Sequence, residues 1–157
     1  MSAFARTIEA SVVIDTSPRA VWTVLADLAH HAEWNPFMES IEGTPREGER
    51  LRITMRPDPE GRPFRFSPRL MRVRPPHELR WRGRLGVPGL FDGEHAFVLH
   101  ALPGGQTRLV QSERFSGLLV PFMTGTLDAT ATAFEATNEA LRERVEGRAL
   151  LPVRRAA

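Results

Sequence analysis

Among the polar residues of this 157-residue chain, His95, Gln111 and Glu113 stand at spacings that could bring chemistry into its interior. Phe91, Gly93, His95, Phe97 and Leu99 alternate with their neighbours along one stretch, and Leu109, Gln111, Glu113 and Phe115 do so along the next. Strand side chains point alternately to the two faces, so each set shares a face, and their apolar character turns that face inward. If Pro103-Gly104-Gly105 makes a three-residue hairpin loop with a left-handed glycine, Leu102 pairs with Gln106. The register then sets His95 opposite Glu113 and Phe97 opposite Gln111. Directly opposed β-carbons lie about 5 Å apart, close enough for an imidazole to meet a carboxylate. Glu113 would fix the imidazole tautomer or hold His95 protonated, making it an acid, a base or a donor to a ligand carbonyl. A buried polar pair that satisfies only itself is the competing reading, and both stay open.

Other residues could join such a site. Asn138 stands in an apolar helical stripe, where an unpaired amide is costly, so it needs a bond to the sheet, a water or a ligand. Trp34, Phe37, Trp81 and Phe134 could line a cavity, although aromatics at such positions also serve as ordinary core. Leu85, Val87, Leu90 and Phe91 make one turn unusually apolar, which suits either a cavity mouth or a loop packed on its own hairpin. His30 and His31 are adjacent, so on a helix their rings diverge by about 100° and form no metal clip; both are expected at the surface. Glycine-rich phosphate loops, Gly-x-Ser-x-Gly and His-Glu-x-x-His patterns are absent.

The elements that must position these residues follow from periodicity. Ile8, Ala10, Val12 and Ile14 alternate through a first strand, Thr7 to Ile14. Ser17 is placed to cap a helix with Pro18 at its first position, and Val21, Leu25 and Leu28 recur at helical spacing. A second helical turn is expected over His30 to Trp34, ended by Asn35-Pro36. Six strands follow, near Phe37 to Glu42, Glu49 to Arg56, Pro63 to Arg74, Glu78 to Leu85, Phe91 to Ala101 and Thr107 to Phe115, separated by Gly- and Pro-rich turns. Short links imply an antiparallel arrangement with one wet face, to which Arg50, Arg52, Arg80, Arg82, Arg84, Arg108 and Arg114 belong. Val120, Leu127, Phe134 and Leu141 then fall seven apart in a long helix from about Pro121 to Glu146, with Gly147 as its C-cap. Residues 1–147 form one α+β domain, and 148–157 are expected to fray.

Composition narrows the function. Cysteine is absent, which removes disulfides, thiolate metal sites and cysteine nucleophiles. All of the basic residues are Arg, 21 against 19 acidic, so the net charge is only +2. With Glu49, Glu78, Asp92 and Glu94 interleaved and no aromatic stacking platform, the Arg rows read as a solvated face rather than a nucleic-acid surface. No apolar run approaches bilayer length, and the N-terminus has no signal-peptide core, so no membrane insertion and a cytoplasmic location are expected.

The motifs Ser17-Pro18-Arg19-Ala20-Val21-Trp22, Trp34-Asn35-Pro36-Phe37, Leu79-Arg80-Trp81, Gly89 to Phe97, Thr107 to Gly117 and Asn138 to Arg142 resemble the polyketide cyclase, START and birch-pollen-allergen superfamily (SRPBCC), in particular a bacterial branch of it. The resemblance covers nearly the whole chain. It implies a helix-grip fold: a seven-stranded curved antiparallel sheet around the long C-terminal helix, two short helices after the first strand, and a cavity between them. The superfamily includes lipid carriers, metabolite binders, aromatic polyketide cyclases and iron oxygenases. Iron would need two His and a carboxylate as a facial triad, and no such spacing occurs, so no cofactor or metal is expected. The expected partner is a hydrophobic or aromatic small molecule. The expected contacts are Trp34, Phe37, Trp81, His95, Phe97, Gln111, Glu113, Phe134 and Asn138. His95 and Glu113 would be the acid-base pair if the protein is a cyclase or dehydratase. A co-chaperone-like interaction domain, with a filled core, is the third reading.

Overall fold

The computed structural model describes residues 2–150. Strand β1 (Ala5–Ile14) buries Ile8 and Ile14 and exposes Glu9, Ser11 and Val13, as period-two alternation requires. Helix α1 (Pro18–Leu25) is capped by Ser17, whose Oγ accepts the Ala20 N–H at 3.3 Å, and it buries Val21, Val24 and Leu25. A 3-10 turn, Leu28–Glu33, follows, and the chain leaves helical geometry at Asn35-Pro36, where proline crowds the preceding residue.

Eight strands form, in two antiparallel sheets, where one sheet of seven was expected. The segment expected as one strand over Pro63 to Arg74 is two: β4 (Phe64–Phe66) and β5 (Arg69–Arg74). The break falls at Ser67-Pro68, since proline has no N–H to give to a ladder. β2 (Met38–Glu42), β3 (Arg52–Met55) and β4 make the smaller sheet. The larger has the order β1-β8-β7-β6-β5, with β6 (Glu78–Leu85), β7 (Phe91–Ala101) and β8 (Thr107–Ser116) as its meander. Backbone bonds from Leu51 N–H to the Pro68 carbonyl and from Leu70 N–H to the Glu49 carbonyl, both 2.8 Å, carry the smaller sheet round into the larger.

Register is set at the β7–β8 hairpin. Gly104 and Gly105 both take φ of 79°, a left-handed conformation open to glycine, and Leu102 N–H donates to the Gln106 carbonyl at 2.8 Å. His95 thereby stands opposite Glu113 and Phe97 opposite Gln111, the pairing read from the sequence. On the opposite face, Arg80 and Arg82 bond Glu94 at 2.8 and 2.6 Å, an ion-pair row. These guanidinium groups, Arg82 foremost, hold the Glu94 carboxyl below the usual carboxylate range.

A 3-10 turn, Val120–Phe122, leads into helix α2 (Thr124–Leu150), which packs along β1. The helix starts later than Pro121 and runs through Gly147, so Gly147 is not its cap; an interior glycine costs a helix about 1 kcal/mol and need not end it. Of the expected tail, residues 151–157 lie outside the described residues. The heptad-spaced Val120, Leu127, Phe134 and Leu141 are all buried. Leu141 and Val145 join Leu25, Leu79, Leu99 and Leu109 in one core cluster, while Leu127 and Phe134 join Ile8 and Phe115 in another. Each such side chain contributes about 1.5–3 kcal/mol by leaving water. Among the described residues, no helix is long and apolar enough to cross a membrane.

Candidate functional site

Between the inner faces of the two sheets and α2 lies a cavity of about 550 Å³. β6 contributes Trp81, Gly83, Leu85 and, near its end, Arg84 to it, β7 contributes Phe91, Gly93, His95 and Phe97, and β8 contributes Gln111, Glu113 and Phe115. Arg84 apart, these are alternate positions on each strand, which is why one face of the meander can line a cavity while the other carries most of the arginines. Phe64 and Leu85 are exposed as well as lining, and they form part of its rim.

At the centre of the sheet wall, His95 sits in an aromatic box. Its ring stacks on Trp81 with centroids 4.8 Å apart and planes 11° from parallel, and it meets Phe134 edge-on at 5.1 Å. Its two nitrogens face different partners. Gln111 Nε2 donates to His95 Nε2 at 3.2 Å, which leaves the ring proton on Nδ1, donated to Glu113 Oε2 at 3.4 Å. The pair is thus formed as the register implied. Gln111 Oε1 is buried without a hydrogen-bond partner among the described residues, and the Glu113 side chain keeps 21% of its surface exposed. This trio combines a fixed imidazole, an unused amide acceptor and an accessible carboxylate.

Gly93 makes room for that carboxylate. A β-carbon there would come within 2.6 Å of Glu113 Oε1, so the missing side chain on β7 is occupied by one leaning across from β8. Neither residue's neighbours in sequence announce this.

Of the expected contacts, Phe37, Trp81, His95, Phe97, Gln111, Glu113 and Phe134 are brought together on the cavity wall, while Trp34 and Asn138 are not. Trp34 is buried in the main core with its ring 4.8 Å from that of His31. Asn138 is 2% exposed, and neither the oxygen nor the nitrogen of its amide has a hydrogen-bond partner among the described residues, so of the partners expected for it, the sheet, a water or a ligand, the sheet supplies none. The expectation that both adjacent histidines lie at the surface fails for His31. Its ring is 1% exposed, and its Nε2–H donates to the Leu25 carbonyl at 2.7 Å, because the 3-10 turn rolls this residue inward under α1. Burial pushes its pKa down to about 4, so it is neutral at pH 7. In the apolar turn after β6, Leu85 and Phe91 line the cavity, while the carbonyls of Gly89 and Leu90 accept backbone bonds not from their own hairpin but from Leu118 and Leu119, beyond β8.

Sequence reasoning missed two parts of the wall. One is His31, Asn35, Met38 and Met55, contributed by the 3-10 turn and the smaller sheet. The other is a face of α2 made of Thr126, Ala129, Thr130, Ala133, Ala136 and Thr137. Its signal was present: small residues recur there at three- and four-residue steps, and a helix face without large side chains leaves space against its sheet. Among the described residues, no three His, Asp or Glu side chains gather as metal ligands.

Residues 5–146 match the family model described as polyketide cyclase/dehydrase and lipid transport. No curated protein matches the sequence. Among solved structures, the chain is similar to the Zhui aromatase/cyclase of a Streptomyces species, with 20% identity, 92% of this chain and 96% of that one covered, and a TM-score of 0.76. It is similar also to protein MLL2253 of Mesorhizobium loti (21% identity, 93% and 100% covered, TM-score 0.72) and to Ara h 8.0201 (16%, 91% and 99%, 0.69). At such identities the structural likeness establishes the fold, helix-grip, and the family match extends over nearly all of it. The chain therefore belongs to the polyketide cyclase/dehydrase and lipid transport family, within the SRPBCC superfamily.

Proposed function

We propose that this protein binds a hydrophobic or aromatic small molecule in its internal cavity and holds or carries it without changing it. The observation that supports this reading most directly is the cavity's make-up. About 550 Å³ is lined chiefly by apolar and aromatic side chains, with His95, Gln111 and Glu113 as the polar groups of the sheet's inner face and Arg84 at the end of β6. That is the size and character of a small-molecule site, of about 300–1,000 Å³ with a few placed polar groups. A filled-core interaction domain of co-chaperone type is disfavoured by the same volume.

A second reading, a cyclase- or dehydratase-type enzyme with His95 and Glu113 as its acid-base pair, has one observation in its favour: the two groups are in contact and Glu113 is partly accessible. Weighing against it, both ring nitrogens of His95 are already engaged by protein groups, Nδ1 with Glu113 and Nε2 with Gln111. The imidazole must give up one of them before it can exchange a proton with a ligand. An orienting role needs no such exchange.

Native mass spectrometry of the purified protein, followed by solvent extraction, tests the proposal. A bound apolar molecule that is released unchanged, and is held equally by Glu113→Gln, supports a binder. A molecule recovered chemically altered by the wild type but not by Glu113→Gln would overturn it in favour of the enzyme.

A further inference from the structure

Asn35 lies at the junction of the 3-10 turn and β2, on a different wall of the cavity from His95. Its side chain is oriented by one bond: Oδ1 accepts the Phe37 N–H at 3.0 Å. Only the carbonyl oxygen of the amide can accept, so this bond decides which way the group points and turns the NH2 away from the backbone it caps. The residue is 8% exposed and lines the cavity, yet among the described residues no group accepts from Nδ2. An amide with one end tied down and its two donors unused, at a cavity wall, is a preset donor site. The cavity-lining residues nearest it in the sequence are His31, Phe37 and Met38, and none is charged near neutral pH, since burial keeps the His31 imidazole neutral.

We propose that Asn35 Nδ2 is the second polar anchor of the cavity, donating a hydrogen bond to a neutral acceptor oxygen, of ketone or related carbonyl type, on the bound molecule. The inference rests on the cavity being a ligand site. It adds that the ligand is held at two points, the His95–Gln111–Glu113 cluster on the large sheet and the Asn35 amide beside the smaller one. Asn35 then selects for an oxygen placed to reach it. A carboxylate would gain less there, because a neutral amide donor does not offset the cost of desolvating a charge and neither His31, Phe37 nor Met38 supplies a cation.

The test uses two probes of equal shape, 2-acetylnaphthalene, which has an acceptor oxygen, and 2-ethylnaphthalene, which has none. Binding is measured by titration calorimetry to the wild type and to Asn35→Asp, which keeps the acceptor for Phe37 N–H and removes the NH2. The wild type is expected to prefer the acetyl compound by about five- to tenfold, the worth of one net hydrogen bond, and Asn35→Asp to lose that preference. In the wild type the side-chain amide resonances of Asn35 should shift with 2-acetylnaphthalene and not with 2-ethylnaphthalene, a readout that serves even where the variant does not fold. Equal binding of the two probes to the wild type, a preference that survives in Asn35→Asp, or unmoved Asn35 resonances would overturn the second anchor while leaving the cavity as a ligand site. Binding of neither probe would overturn both.

Discussion

Gly93 and Glu113 share one volume: a β-carbon on residue 93 would stand 2.6 Å from Glu113 Oε1, on the strand next door. The atom in the way is the end of a flexible side chain, so Gly93→Ala should fold, with a stability loss of no more than about 1–2 kcal/mol in urea denaturation. The carboxylate has to swing aside, and its 3.4 Å contact with His95 Nδ1 goes with it. Nitrogen-15 shifts of the His95 ring report this: the wild type should show the Nδ1–H tautomer, and Gly93→Ala a mixture of both. An unchanged tautomer would mean that Gln111 alone orients the ring.

Folding stability should fall with pH in a window that belongs to His31. Its pKa is lowered by burial from 6.5 to about 4, so the unfolded chain takes up the proton first as the pH drops. The stability conferred by the neutral buried ring is therefore whole above pH 6.5 and is lost as the pH falls towards 4, a change of roughly 3 kcal/mol at 1.36 kcal/mol per unit. Glu78 and Glu94 also destabilise the fold on protonation, but their pKa values lie below 4.5, so they act at the acid end. In His31→Gln, which retains a donor for the Leu25 carbonyl, the slope between pH 6.5 and 4.5 should flatten. Denaturation midpoints at several pH values check it.

Ala133 stands on the small-residue face of α2 and borders the cavity. A phenyl group at this position should fill space that a ligand would take. Ala133→Phe is expected to weaken 2-acetylnaphthalene binding at least tenfold while leaving stability within about 1 kcal/mol of the wild type, since the added ring enters a void rather than a packed core. Large destabilisation with unchanged binding would place the ligand elsewhere.

Gly117 has φ of 129°, and a β-carbon on it would meet the Leu90 carbonyl oxygen at 2.5 Å. Unlike the obstacle at Gly93, this one is backbone and cannot rotate away. Gly117→Ala should cost about 1–3 kcal/mol and loosen the turn after β6, because Leu118 and Leu119 bond the carbonyls of Gly89 and Leu90. Faster amide exchange at Leu118 and Leu119 is the expected sign.

Much of the site could be read in advance because a strand obeys a two-residue rule and a hairpin transmits it. Once Gly104 and Gly105 are allowed their left-handed turn, every pairing from Ala101 with Thr107 to His95 with Glu113 follows without further information. Asn35 and His31 were not legible in this way. They lie in a short irregular connection, where periodicity says nothing and where one turn of 3-10 helix decides whether a histidine faces water or the core. Trp34 and Asn138 were misplaced for a related reason: helical spacing and aromatic character mark a residue as buried, but not whether it is buried against protein or against a cavity.

By itself, then, the sequence determined what depends on local rules. These are the strands and helices, the face each presents, the register of β7 on β8, and with it the contact of His95 with Glu113. Tertiary structure alone decided the rest. The two sheets join through hydrogen bonds around Pro68 and close the far wall, and Gly93 yields its side-chain space to Glu113. The Ala and Thr face of α2, small-chained as its sequence shows, becomes a cavity wall rather than a packed seam because the surrounding packing does not bring the sheets up against it. Distances between faces arise from the sum of all packing contacts, and no short stretch of sequence carries that sum.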